Sequence, residues 1–164
     1  MIGNDIVDLA LAKKESNWQR KGFLEKIFTQ KEQLLIKNAK NSEEMVWNLW
    51  TRKEAAYKIY NRETGFRGFN PVKLVCFYED QSKGTVSCEG FLYYTQTFVS
   101  KEFIYTIAVL EKEYFKYLEK IDVATKISKI NGIPSIFDNV SLVVKPVSIS
   151  HHGRFWEAVT MLPF

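Results

Sequence analysis

Residues 42–60, Ser-Glu-Glu-Met-Val-Trp-Asn-Leu-Trp-Thr-Arg-Lys-Glu-Ala-Ala-Tyr-Lys-Ile-Tyr, carry the strongest helical pattern in the chain and decide its fold. Ser42 offers an N-cap hydroxyl, the pattern runs to about Tyr60, and Gly65 and Gly68 then break it. Within this helix Trp47, Trp50, Glu54 and Lys58 fall at i, i+3, i+7 and i+11, which places them along one stripe. A carboxylate on a largely apolar stripe is costly unless it is paired or bound to a cation. Lys58, one turn on from Glu54, is a ready partner, and the plain alternative is an ordinary i,i+4 pair of about 0.2–0.5 kcal/mol with the tryptophans as core.

Toward the N-terminus, Ile2–Leu9 has β-branched residues around Asp5 and predicts a short strand, after which 10–17 becomes charged and helix-compatible. Thr29-Gln30-Lys31-Glu32 has the spacing of a capping box and predicts a helix over 30–39. Toward the C-terminus the period changes to β. Val72–Tyr78, Thr85–Tyr94 and Phe103–Leu110 predict two or three antiparallel strands, with a turn over Asp80–Gly84. Residues 111–130 return to a Lys/Glu-rich helical pattern, and Asn131-Gly132-Ile133-Pro134 punctuates it. Val140–Ile149 and Phe155–Leu162 predict two closing strands around a His-Gly turn. With no internal repeat or linker, 1–164 is expected to be a single α+β domain, an antiparallel sheet packed against the long helix.

Composition narrows the function. The 164 residues, 46% hydrophobic and 15% aromatic, suffice to bury about 70% of the chain surface, which excludes disordered and collagen-like architectures. Two cysteines, Cys76 and Cys88, cannot build a disulfide framework or a four-cysteine metal site, and a reducing cytoplasm fits best. Asp5 stands where a secretory segment would be basic, and no run approaches ~18 apolar residues, so neither secretion nor a membrane span is expected. The 23 Lys/Arg against 19 Asp/Glu leave +4, which favours anionic partners. Basic residues interleaved with aromatics also suit a nucleic-acid-binding module, although no nucleic-acid motif is present.

Two further segments, at the two ends of the chain, could carry chemistry. Asp5, packed against the long helix, would set a second carboxylate beside Glu54, a hard-oxygen pair suited to Mg²⁺; a lone Asp is otherwise a turn or cap residue. His151 follows Ser148-Ile149-Ser150 near the end of a β segment, where a ring nitrogen could reach a phosphate or ribose while His152 faces elsewhere; the alternative is a surface histidine.

Together these segments resemble the 4′-phosphopantetheinyl transferase superfamily, in motif order the holo-acyl-carrier-protein synthase type. Gly3-Asn4-Asp5-Ile6-Val7-Asp8-Leu9 is similar to the family's opening motif, Trp50-Thr51-Arg52-Lys53-Glu54-Ala55-Ala56-Tyr57-Lys58 to its Trp-x-x-Lys-Glu-Ala-x-x-Lys helix, and Ser148-Ile149-Ser150-His151 to its late strand. Phe23–Thr29 and Glu32 match more loosely. Gly65 and Gly68 stand in only loosely for the family's glycine-rich turn, a Gly-Lys-Pro is missing, and Pro71–Lys145 is longer than in compact members.

The resemblance implies transfer of the phosphopantetheine arm of coenzyme A to a serine of an acidic acyl or peptidyl carrier protein, with Mg²⁺ held by Asp5 and Glu54. It makes Glu54 the candidate general base, Lys58 a point charge on the pyrophosphate, and His151 a contact to the nucleotide near its 3′-phosphate or ribose. Asp8, three residues after Asp5 on a strand, would face the other way and is the weaker metal candidate, or a cap. Lys13, Lys14, Arg20, Lys21 and Lys26 resemble the basic first helix that docks the carrier; a solvated charged face is the alternative. One copy of each motif implies a homotrimer in which a neighbour supplies the other wall of the site, unless the extra length lets one chain complete it. A catalytically silent scaffold of the same fold is the remaining alternative.

Overall fold

The computed structural model describes residues 1–139 and 142–162. Strand β1 (Ile2–Asp8) runs directly into helix α1 (Leu9–Glu15), because Asp8 is the cap that turns one into the other: its carboxylate accepts from the backbone N–H groups of Ala10 and Leu11. Helices α2 (Phe23–Ile27), α3 (Gln30–Asn38) and α4 (Ser42–Thr64) follow. Strands β2 (Val75–Tyr78), β3 (Lys83–Cys88), β4 (Phe91–Val99) and β5 (Phe103–Val109) come next. Beyond a 3₁₀ segment at Lys112–Tyr117 lie β6 (Leu118–Ile121), β7 (Ser128–Ile130), β8 (Ile133–Asp138), β9 (Val143–Pro146), β10 (Ser148–His152) and β11 (Phe155–Met161).

These strands form three antiparallel sheets, ordered β1-β5-β4-β3-β2, β10-β11-β6 and β7-β8-β9. The expected α+β architecture, a long helix on an antiparallel sheet, is what the chain builds. Helix α4 buries Val46, Leu49, Ala55, Ala56 and Ile59 against Cys76, Val86, Tyr93, Ile104 and Ala108 of the large sheet. On β1 the odd residues face this helix, while Ile2 and Ile6 join Tyr105, Ile107, Val109 and Val159 in a second core.

The predicted capping box forms: Thr29 accepts from the N–H of Glu32, and Glu32 Oε2 accepts from the N–H of Thr29 at 2.7 Å. Glu32 does more than cap. It is fully buried, accepts from the backbone N–H of Cys76, and takes a 2.8 Å ion pair from Lys53, whose ammonium also donates to the carbonyls of Pro71 and Leu74. Lys53 is thus consumed in fastening α4 to α3 and to the segment before β2, and Arg52, donating to the carbonyls of Asp80, Gln81 and Lys83, in fastening it to the β2–β3 hairpin.

Several expected boundaries move. Asn41, not Ser42, caps α4 through Glu44 N–H; Ser42 is the first helical residue and donates to the carbonyl of Ile36 instead. The helix continues to Thr64 and ends on Gly65, whose φ of 73° is the left-handed conformation glycine adopts at least cost. Residues 85–94 are two strands, turned at Glu89-Gly90 with φ of 47° and 91°, as a tight hairpin requires.

Residues 111–130 are not the expected helix. They hold the 3₁₀ segment, then β6 on the edge of β11 and β7 on β8, so pairing with distant strands overrides a local Lys/Glu-rich pattern. Val140 and Ser141 lie outside the described residues. The rest of 140–149 divides between β9, which pairs with β8, and β10, which pairs with β11 across the expected His-Gly turn. Helix α2 and strand β8 had no counterpart in the sequence expectations.

Candidate active site

Glycine at position 3 brings β1 unusually close to α4. A Cβ on Gly3 would overlap the carbonyl oxygen of Ala55, so only hydrogen fits at the crossing. Two residues along β1 stands Asp5, and beside Ala55 on the helix stands Glu54; the close approach brings both carboxylates to one cavity. That cavity, of about 490 Å³, is lined by Asp5, Trp47, Trp50, Glu54, Lys58, Ser150, His151 and His152 among others. The predicted helix stripe and both terminal motifs therefore meet in one place.

The edge of β1 that β5 leaves free is satisfied almost entirely by side chains. The N–H groups of Asn4, Ile6 and Asp8 donate to Ser148 Oγ (3.0 Å), Ser150 Oγ (3.0 Å) and His152 Nδ1 (2.9 Å), successive residues on one side of β10. On the carbonyl side, Lys58 Nζ bridges Asn4 O (2.6 Å) and Ile149 O (3.1 Å), and one turn later Arg62 bridges Ile2 O and Val147 O, both at 3.0 Å. Helix α4 therefore clamps β1 and β10 side by side, and the cavity lies at this seam.

Lys58 does not form the plain i,i+4 pair with Glu54. Its ion pair is with Asp5 Oδ1, at 3.7 Å, and burial lowers its pKa against the opposing pull of Asp5 and Glu54. Glu54, half-buried, has no hydrogen-bond or ion-pair partner among the described residues. Burial first, and the charge of Asp5 second, push its pKa up to about 7. Burial likewise raises Asp5 to about 6, with Lys58 and the Ser150 hydroxyl pulling it back.

Two like charges facing one half-buried cavity ask for a cation. Among the described residues no group of three or more His, Cys, Asp or Glu side chains that could hold a metal converges, so a cation in this cavity would have two carboxylate ligands from the protein. That is the donor set Mg²⁺ accepts, since it keeps several waters and binds phosphate as well. The residues present fit the ion.

Asp8 lies on the opposite side of β1, as its parity requires. It is a buried cap, held by Arg154 through Nε (2.9 Å) and Nη2 (3.0 Å), and the guanidinium holds its carboxyl well below the usual range. His151 is exposed on the cavity wall. His152 does not face elsewhere: it lines the same cavity. Lys13 and Lys14 are exposed on the last turn of α1, but that helix stops at Glu15, so Arg20 and Lys21 lie in the following loop rather than on a basic first helix. The cap at Ser16 and the Asn17 side chain, which accepts from the N–H of Gln19, end it there. Sequence reasoning missed Ser150 and His152 as parts of the site, and Arg62 as part of the seam beside it. The i, i+2, i+4 spacing of Ser148, Ser150 and His152 was the available signal.

The model of the 4′-phosphopantetheinyl transferase superfamily matches residues 1–109. Among solved structures, a holo-(acyl-carrier-protein) synthase from Bacillus anthracis, in complex with CoA (3′,5′-ADP), is 26% identical; the match covers 67% of this chain and 94% of that one, with a TM-score of 0.52. The Helicobacter pylori holo-[acyl-carrier-protein] synthase in complex with coenzyme A is 17% identical over 68% of this chain and 100% of that one, at 0.54. The Thermotoga maritima holo-[acyl-carrier-protein] synthase is 16% identical, covering 99% of this chain and 83% of that one, at 0.52. No curated protein matches the sequence.

Proposed function

The chain belongs to the 4′-phosphopantetheinyl transferase superfamily, and from that membership we propose that it moves the 4′-phosphopantetheine arm of coenzyme A to a serine of an acyl or peptidyl carrier protein, releasing adenosine 3′,5′-bisphosphate. The observation that carries this reading is the convergence of Asp5, Glu54, Lys58 and His151 on one cavity from three distant segments.

Asp5 and Glu54 would hold Mg²⁺ there. When bound, the ion supplies positive charge beside the coenzyme A diphosphate and neutralises the charge that moves onto the leaving bisphosphate. Lys58, already tied to two carbonyls, adds a fixed ammonium to the same wall. Glu54, whose carboxylate lacks a hydrogen-bond partner, is also the candidate to accept the proton of the incoming serine hydroxyl, directly or through a metal-bound water, a metal ligand being a weaker base than a free carboxylate. His151, exposed on the wall, would meet the nucleotide.

Ala12 and Ser16 also line the cavity, so the exposed Lys13 and Lys14 on α1 and the loop residues Arg20 and Lys21 flank it and would steer an acidic carrier toward it. A homotrimer belongs to the same proposal. Phe77, Leu92 and Phe98 are exposed on the face of the large sheet away from α4, apolar surface that a second copy would cover. No helix among the described residues is long and apolar enough to cross a membrane, and action in the cytoplasm is proposed.

The test is mass spectrometry of an apo carrier incubated with the protein, Mg²⁺ and coenzyme A. One added phosphopantetheine is expected, and Glu54→Gln should slow the reaction by about 10²–10⁴-fold with an unchanged circular dichroism spectrum. An unaltered rate in that variant rejects the site. Salt-dependent oligonucleotide binding without any coenzyme A binding would replace the reading with a nucleic-acid module.

A further inference from the structure

Ser148 and Ser150 occupy equivalent positions on β10. Each accepts a backbone N–H from β1 at 3.0 Å, from Asn4 and Ile6 respectively. A serine oxygen that accepts a backbone N–H still has one proton to donate. Ser148 gives its proton to the Asn4 side chain, at 2.7 Å, on the side of β1 away from the cavity. Ser150 gives its proton to Asp5 Oδ1, at 3.0 Å, on the cavity wall. Both serines are buried, so water does not replace these bonds.

We propose that Ser150 is a positioning residue for the Asp5 carboxylate, setting its orientation in the cavity before any cation arrives. The chain of donors runs one way, from the Ile6 N–H to Ser150 Oγ and from Ser150 Oγ–H to Asp5 Oδ1, because the backbone nitrogen cannot accept. Lys58 Nζ approaches the same oxygen at 3.7 Å, so two groups from two elements fix Oδ1 and thereby aim the carboxylate as a whole. Glu54 has no comparable partner, so Asp5 is the pre-set half of the pair and Glu54 the adaptable one. This rests on the metal reading above and adds to it which side chain of the seam strand prepares the site.

Direct binding of Mn²⁺ alone to the full chain, followed by the loss of the free-ion electron paramagnetic resonance signal, tests it without recourse to activity. Ser150→Ala should weaken Mn²⁺ binding about ten-fold, and Ser150→Cys, which keeps the shape with a weaker donor, should weaken it in the same direction. Ser148→Ala removes an equivalent strand contact and should lower the melting temperature while leaving Mn²⁺ affinity within about two-fold of wild type. Wild-type affinity in both Ser150 variants, or an equal loss in Ser148→Ala, overturns the positioning role and leaves the metal site standing. Failure of the wild-type chain to bind Mn²⁺ overturns the metal reading itself, and the inference with it.

Discussion

At the residue scale, Asp5 and Glu54 both resist ionisation because burial partly excludes water from them, and Glu54 in addition feels the charge of Asp5. A carboxyl whose pKa is raised in the folded chain stabilises it fully below its ordinary pKa, near 4, and that contribution is lost as pH climbs through the folded value. Metal-free protein should therefore lose stability between about pH 4 and 7, up to the folded values of about 6 for Asp5 and about 7 for Glu54. The Glu54 share is of order 1–3 kcal/mol, with solvent screening pulling it toward the lower end. In differential scanning fluorimetry Glu54→Gln should flatten that decline, and Mg²⁺ at pH 8 should raise the melting temperature of wild type but not of the variant; parallel slopes would contradict this. Asp8 behaves oppositely. Its carboxyl is depressed by Arg154, so the stability it lends is present above about pH 4 and disappears as pH falls further. Arg154→Ala should accordingly be costly at pH 7, with the gap to wild type closing in strong acid. That Asp5 and Glu54 come to one cavity was legible from residue types on the right faces; the partners of Lys58 were not, because carbonyls 54 and 91 residues away carry no sequence signature.

At the element scale, the crossing of β1 and α4 is the feature on which the site depends. Gly3→Ala would force a methyl group onto the Ala55 carbonyl, pushing the strand off the helix and moving Asp5 away from Glu54. Urea unfolding should show a loss of several kcal/mol, well above the ~1 kcal/mol expected for an exposed change such as Asn41→Ala, which removes only the α4 cap. Similar midpoints for the two variants would mean the close approach is not under constraint. Elements held by local bonds were readable, as the Thr29–Glu32 capping box shows. The α4 start slipped by one residue because Asn41 and Ser42 are both good caps. Strand β6 was misread because what makes it a strand is β11, whose register sets Leu118 opposite Met161.

At the scale of the whole molecule, the proposed carrier docking and the proposed trimer each make a measurable prediction. Reversing Arg20 and Lys21 to glutamate should raise the carrier KM at least several-fold with little change in kcat, and more so at low salt, if that loop guides docking. Equal KM values in steady-state assays would dismiss it. Sedimentation velocity should find a trimer that Phe98→Glu dissociates, the exposed ring being on the sheet face opposite α4. A monomer with full activity would show instead that one chain completes its own cavity. The periodicity of 42–60, the capping box and the alternation of the early strands determined by themselves the long helix and the antiparallel sheet, and with them the faces on which Asp5 and Glu54 stand, because those signals act over a few residues. Only the tertiary structure decided that Ser148, Ser150 and His152 complete the edge of β1, that Lys58 and Arg62 lock that seam, and that 118–121 and 128–130 are strands. Each of these rests on hydrogen bonds whose two ends are brought together by folding; at the seam of β1 and β10 burial makes the bonds obligatory, whereas 118–121 and 128–130, largely exposed, are strands because β11 and β8 lie alongside them.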